Sequence, residues 1–417
     1  MKKDFMEYID IMNTLGVHQM ILQGPPGTSK TYNAKKIIAE GIFASKYEKE
    51  LEDFTGSKED IKKLFDSNSI ESKEVGKLLD SNNMESKEDI EKLKEGIKKL
   101  FDSKKFITKF LKPYQINSNN SDNKGYWDMV QLHPSYGYED FVRGITIKTE
   151  NQQIQYETVN KIFGKMCKIA GDSKTKAKGK DKDKKYFLLI DEINRADVAT
   201  VFGELIYALE YRDEAIETPY EVGQSSKITV PDNLYIIGTM NTADKSVGNI
   251  DYAIRRRFIF FDLLPDENVI KSKKKEENEN EIEKAEKVFL GVNKFIKTSI
   301  NTQYRANDFL IGHTYFLLPE KQEENNSEGD KSKKDNLEDL IKYGMEYQVL
   351  PILREYYIDG IIRLSNDAPD NYLNKYLTGE VELSDEVNDE KGKKDNKKEE
   401  KKYVINEIIN AFSLGEK

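Results

Sequence analysis

The chain has 417 residues, 37% of them hydrophobic, enough for one large core or two moderate ones, which excludes a protein disordered throughout. Lys and Arg number 66 against 75 Asp and Glu, a net charge of -9, so the molecule as a whole is not the basic body of a protein that coats nucleic acid. The single cysteine, Cys167, excludes an internal disulfide and a cysteine-built metal site, and no segment approaches the roughly 18 apolar residues needed to span a bilayer, so a cytoplasmic protein without membrane contact is expected.

The run HQMILQ (18–23) is apolar and stops at Gly24, and beyond it Ala34, Ile37, Ile38 and Ile42 recur at helical spacing. This predicts strand, glycine loop and helix. The loop itself, Gly24, Pro25, Pro26, Gly27, Thr28, Ser29, Lys30 and Thr31, follows the phosphate-binding pattern G-x-x-x-x-G-K-[ST] except that Ser29 replaces the last glycine. Gly24 and Gly27 let the backbone turn its N–H groups toward phosphates at a helix start. Lys30 would reach the β- and γ-phosphates, and the Thr31 hydroxyl would ligate Mg²⁺. A left-handed Ser29 costs about 1–2 kcal/mol, which bound phosphates and Mg²⁺ can override; the alternative is a degenerate, purely structural loop.

Residues 47–112 interrupt the pattern. SKEDIKKLFDSNSIE (57–71), SKEVGKLLDSNNME (72–85) and SKEDIEKL (86–93) form an imperfect repeat, and Ile90, Leu93, Ile97, Leu100 and Phe101 recur at three- and four-residue spacing on a charged background. An inserted helical arm is expected, either a solvated hairpin of duplicated helices or a partner-docking arm. In HPSYGYEDFVRG, residues His133, Tyr136, Tyr138, Phe141 and Arg143 would either stack on DNA or fill space between strand and helix. The stretches 171–185, 320–336 and 384–402 are highly charged with almost no apolar residues and read as loops or disordered linkers.

YFLLIDE (186–192) and NLYIIGTMN (233–241) are continuous apolar strands, with helical stretches between them as at 201–209, so the class is α/β with a parallel sheet covered on both faces. Asp191 at a strand end can hold Mg²⁺ through water, Glu192 can act as general base, and Asn241 can orient the same water. In IDYAIRRRFIFF (250–261) three arginines precede an apolar strand, and an arginine delivered in trans would imply a ring with sites between subunits. His18 and His313 are isolated and read as packing or surface residues.

Taken together, GPPGT-x-KT, HPSYGYEDFVRGI, LLIDEINRAD, GTMNTAD and DYAIRRRF resemble the AAA+ GTPase subunit of McrBC-type, modification-dependent restriction systems, and DFLIGHTYF (308–316) and YQVLPILREYY (347–357) resemble that family's helical lid. The resemblance implies an AAA+ P-loop core over 1–265, carrying the insertion at about 47–112 and the lysine-rich loop 171–185. A lid over 266–364 and a charged tail with a short terminal helix over 365–417 would follow. It implies phosphate binding by Gly24 to Thr31, Mg²⁺ at Thr31 and Asp191, catalysis by Glu192 and Asn241, and Arg256 as the trans-acting finger. It further implies GTP as substrate, a homo-oligomeric ring (a hexamer) and an McrC-like nuclease partner. Lys245 stands where the family usually has arginine, keeping the charge and losing the planar fork. With the loop at Gly24 and no Asp/Glu-x-Lys-like nuclease core, DNA recognition and cleavage are expected from partners. Two other readings compete: an ATP-dependent MoxR-like protein-remodelling machine, and a nucleotide-bound scaffold.

Overall fold

The computed structural model describes residues 5–48, 51, 70–81, 87–116, 126–150, 153–176, 184–244, 250–274, 279–318, 337–364, 373, 375, 377 and 412. It divides into two compact units, the first comprising Met1–Gln23 and Lys30–Asp262, the second Gly24–Ser29 and Leu263–Lys417.

The first unit is built on a five-stranded sheet of β1 (Gln19–Gly24), β2 (Trp127–Gln131), β5 (Tyr186–Asp191), β8 (Leu234–Asn241) and β9 (Ile259–Asp262), in the order β2-β5-β8-β1-β9. The pairs β2–β5, β5–β8 and β1–β9 are parallel, with Leu188 opposite Ile236 and Met20 opposite Ile259. Every residue of β5 is buried, and β8 is buried up to Asn241, because helices cover both faces. Two of these helices are α1 (Phe5–Leu15) and α2 (Lys30–Phe43). In α2 the buried Ala34, Ile37, Ile38 and Ile42 form the inward stripe.

Two hairpins stand beside the sheet: β3 (Arg143–Glu150) with β4 (Gln153–Asn160), and β6 (Ala215–Val222) with β7 (Ser225–Thr229). In the first, Ile147 lies opposite Tyr156, Ile145 opposite Thr158 and Thr149 opposite Ile154, so these six share one face. Ile145, Ile147, Ile154 and Tyr156 are all exposed on it, while Lys148 and Glu157 pair on the other face.

The insertion corrects one expectation. Helices Ile70–Ser81, Lys87–Leu100 and Lys104–Leu111 are present, but not as a hairpin surrounded by solvent. Leu93, Ile97, Phe101, Phe106, Ile107 and Phe110 are buried, and Phe101 meets Phe43, Phe106 and Phe110 edge-on at ring distances of 5.8, 5.3 and 5.3 Å. The Tyr32 hydroxyl of α2 donates to the Asp102 carbonyl at 2.8 Å, and Lys36 pairs with the Asp102 carboxylate. The aromatic end of the repeat thus supplies the apolar area that ties it to α2.

Of the lysine-rich stretch, residues 171–176 continue the helix Ile162–Lys176 instead of forming a loop. Lys174 anchors that last turn on Asp213 at 2.7 Å and Asp232 at 2.9 Å. Residues 177–183, 320–336, 384–402 and Lys245 lie outside the described residues.

In the second unit the long helix Glu279–Ser299 buries Ile282, Ala285, Val288, Phe289, Val292 and Ile296 along one side. Its Asn293 satisfies both backbone polar groups of Ile311: Nδ2 donates to the Ile311 carbonyl at 3.0 Å, and Oδ1 accepts from the Ile311 amide at 2.8 Å. Helices Leu337–Gly344 and Leu350–Ile358 run together through a π-helical turn, Met345–Val349. Pro351 sits just beyond that turn, where a proline is tolerated because the usual i→i−4 ladder is already broken.

Candidate nucleotide site

Lys30 and Thr31 open α2, and Asp191, Glu192, Thr239 and Asn241 come from the ends of the neighbouring strands β5 and β8. A single hydrogen-bonded chain joins five of these six residues. Asp191 Oδ1 accepts from the Thr31 hydroxyl at 2.7 Å and from the Thr239 hydroxyl at 2.6 Å. The Glu192 amide donates to Thr239 Oγ1 at 3.1 Å, and Asn241 Nδ2 donates to Glu192 Oε1 at 2.6 Å. Asn194 Nδ2 in turn holds the Asn241 carbonyl at 3.2 Å.

Glu192 is left-handed, φ 53° and ψ 49°, a strained conformation for a residue with a Cβ. The other carboxylate oxygen, Oε2, is buried without a hydrogen-bond partner, 3.8 Å from Arg195 Nε. Burial pushes the Glu192 carboxyl up, with Arg195 and Lys30 pulling the other way. Burial lowers the Lys30 ammonium to about 8 despite the nearby carboxylates of Glu192 and Asp191. Thr31 and Asp191 supply hard oxygen donors side by side. Among the described residues no group of three or more His, Cys, Asp or Glu is arranged to hold a metal alone. This donor set fits Mg²⁺, which keeps several waters and substrate phosphate oxygens in its shell.

The loop Gly24–Ser29 belongs to the second unit. Thr28 Oγ1 donates back to the Pro25 carbonyl at 3.0 Å. The Gly312 amide donates to the Pro26 carbonyl and the Thr314 amide to the Gly27 carbonyl, both at 3.0 Å. A Cβ on Gly312 would overlap the Gly27 carbonyl, and one on Gly27, where φ is 78°, would strike the Tyr315 ring. Ser29 has φ 61°, the left-handed geometry at which a glycine is unstrained. Its hydroxyl lies 3.0 Å from His313 Nε2, and His313 is buried. The sequence reading of His313 as mere packing or surface missed this contact, because the two residues are 284 positions apart.

Arg256 is not drawn into the set around Asp191. It follows the short helix Tyr252–Arg255, its side chain is 65% exposed, and it lies 3.5 Å from Glu210. Arg257 is 9% exposed and holds Glu210 at 2.8 Å; Arg255 lies over the Phe260 ring. Of the aromatic stretch, Tyr138 and Phe141 are buried, Phe141 packing on Phe163 and Phe202 with both centroid distances 5.1 Å, while His133 is exposed against Tyr136. Arg143 is buried and donates to Asn160, Thr218 and the carbonyls of Tyr220, Ser226 and Lys227, clamping one hairpin to the other. Its guanidinium is therefore spent inside the protein. Cys167 is buried, and burial pushes its thiol up to about 12, which makes it an inert core residue.

The sequence of residues 121–258 matches the AAA domain of the dynein-related subfamily. The core is an AAA+ P-loop fold. The chain is also similar to the Type IV methyl-directed restriction enzyme EcoKMcrB subunit of Escherichia coli (strain K12), 32% identical over 244 residues, 56% of this chain and 47% of that protein. A second relative is the Type II restriction enzyme BsuMI component YdiS of Bacillus subtilis (strain 168), 35% identical over 89 residues, 18% of this chain and 26% of that protein. The chain thus spans about half the length, or less, of these curated relatives. Residues 121–258 carry the AAA domain, the phosphate-loop pattern precedes it at Gly24–Thr31, and the chain resembles restriction-system subunits. Among the described residues no helix is long and apolar enough to cross a membrane.

Proposed function

We propose that this chain is the GTP-hydrolysing AAA+ motor subunit of a McrBC-like restriction or anti-phage complex, working as a homo-oligomeric ring, a hexamer, and driving an McrC-like nuclease partner, with DNA reached through partners. The observation that carries the reading is the hydrogen-bonded set Thr31–Asp191–Thr239–Glu192–Asn241. A scaffold would need only the loop, whereas this set holds a carboxylate ready for proton transfer.

In this reading the backbone of Gly24, Pro25, Pro26, Gly27, Thr28 and Ser29 cradles the phosphates, and Lys30 contacts the β- and γ-phosphates. Thr31 and Asp191 would hold Mg²⁺, which when bound supplies charge neutralisation on the phosphate oxygens. Asn241 fixes Glu192 through Oε1, so Oε2, which has no hydrogen-bond partner, is the atom that takes the proton of the attacking water. That water forms a bond to the γ-phosphorus as the bond to the bridging oxygen breaks, releasing diphosphate nucleotide and phosphate. Arg256, exposed on its own subunit, would reach the neighbouring site and stabilise the charge on the transferred phosphoryl group.

The test is steady-state phosphate release with GTP or ATP as sole nucleotide, with Lys30→Ala as the blank and Glu192→Gln alongside. GTP-selective turnover, lowered about 10²- to 10⁴-fold by Glu192→Gln without loss of binding, is expected. Selective ATP turnover would favour the protein-remodelling machine. Turnover in Glu192→Gln at the parent rate would remove Glu192 as the base.

A further inference from the structure

Three independent bonds lay residues 312–314 along the phosphate loop: two backbone bonds, Gly312 to Pro26 and Thr314 to Gly27, and between them the side-chain contact of His313 with Ser29. The backbone bonds would form with almost any residue at 313. The side-chain contact falls on the one loop position that departs from the phosphate-binding pattern.

The orientation of that contact is fixed by a second partner. The Asp266 amide donates to His313 Nδ1 at 3.3 Å, so Nδ1 is the acceptor nitrogen and Nε2 carries the proton. Nε2–H therefore donates to Ser29 Oγ at 3.0 Å. Asp266 also caps the helix Glu267–Lys271, accepting from the Asn268 amide at 2.9 Å, which steadies the amide that orients the ring. The ring is buried and cannot swing to another partner without leaving this frame.

A serine at φ 61° carries a backbone cost that a glycine does not, and it needs an interaction specific to that conformer to hold it. We propose that His313 is a positioning residue for the phosphate-binding loop, holding Ser29 in the left-handed conformation through Nε2–H···Oγ and so replacing in trans-sequence the freedom that a glycine would supply. The inference rests on the nucleotide-binding reading above. It assigns to residues 312–314 a task the motif alone does not contain: the loop is ordered for nucleotide by a bond to the segment after the long helix, so that nucleotide affinity and the geometry of this segment are linked.

A two-by-two cycle tests it: the full chain, His313→Ala, Ser29→Gly and the double variant, each titrated with Mg²⁺ and fluorescent mant-GDP and, separately, mant-ADP. His313→Ala is expected to weaken binding about ten-fold in the parent but less than about two-fold in the Ser29→Gly background, because glycine holds φ near 60° without help. Equal losses in both backgrounds overturn the proposal, since a merely structural histidine would be missed equally by both. If His313→Ala does not fold, His313→Leu, which fills the site without a donor, takes its place under the same two criteria. A parent chain that binds neither nucleotide overturns the nucleotide-binding reading and this inference with it, whereas binding without coupling overturns the inference alone.

Discussion

Arg143→Ala separates a structural clamp from a nucleic-acid contact. The guanidinium donates to Thr218 at 2.7 Å, Lys227 O at 2.8 Å, Asn160 at 2.9 Å, Ser226 O at 3.0 Å and Tyr220 O at 3.2 Å. Truncation leaves these acceptors without that donor in a region where Arg143 itself is 5% exposed. Three of these acceptors share the two hydrogens of Nη1, so the five contacts amount to four bonds, and at about 1 kcal/mol net per bond, with burial leaving little water to replace the donor, the loss is about 4 kcal/mol. For a unit of this size that corresponds to a fall of about 10 °C in melting temperature, read by calorimetry. Arg143→Lys should lose most of the same stability, because one ammonium cannot reproduce a planar fork that serves both hairpins. A melting temperature within about 2 °C of the parent for Arg143→Ala would refute the clamp and return Arg143 to the surface-contact reading.

Lys30→Met gives a result of opposite sign for stability and binding. The folded Lys30 value, about 8, lies below the ordinary 10.5, so between those pH values the unfolded chain binds more protons and stability rises with pH; below about 8 the buried charge costs about 2–3 kcal/mol. Lys30→Met should therefore raise the melting temperature of the nucleotide-free protein at pH 7, lose nucleotide binding, and show a shrinking stability gain toward pH 10; an unchanged melting temperature at pH 7 would count against the buried charge. Arg256→Ala should bind nucleotide like the parent yet fail to hydrolyse it, and mixing it with Lys30→Ala subunits should restore part of the turnover; no rescue in such mixtures would argue against action in trans. Phe101→Ala removes the ring on which Phe43, Phe106 and Phe110 converge and should cost about 3–5 kcal/mol. Faster proteolytic cutting within 47–112 is the readout, and an unchanged cutting rate would restore the solvated-hairpin picture.

The central strands were legible because β1, β5 and β8 are continuous apolar runs, a pattern that buried parallel strands impose. The edge strand β2, WDMVQ, was not, since Asp128 and Gln131 break its run. The β3–β4 hairpin was also missed: its sequence alternates, but its apolar residues point to solvent and so supplied no core signal. In the site, motif spacing named Lys30, Thr31, Asp191, Glu192 and Asn241, which the fold gathers through one chain of bonds. Thr239 could have been found, because it lies two residues before Asn241 on β8 and so on the same face. The left-handed Glu192 and the Ser29–His313 contact could not, because local sequence carries no sign of a φ angle at Glu192 or of a partner so distant in the chain.

The bare face of the β3–β4 hairpin bears on how any concentration dependence is read. Ile145, Ile147, Ile154 and Tyr156 present aliphatic and aromatic surface on a two-stranded ribbon whose opposite face is neutralised by the Lys148–Glu157 pair. Any association through such a ribbon would rest on an attraction that salt does not screen, whereas any contact led by Arg256 and its neighbours would weaken as ionic strength rises. Light scattering across a salt series at fixed protein concentration therefore sorts clumping through the ribbon from association led by the arginines. A solubilising pair such as Ile147→Lys and Tyr156→Glu would quiet the former while leaving Arg256 and Glu210 as they are.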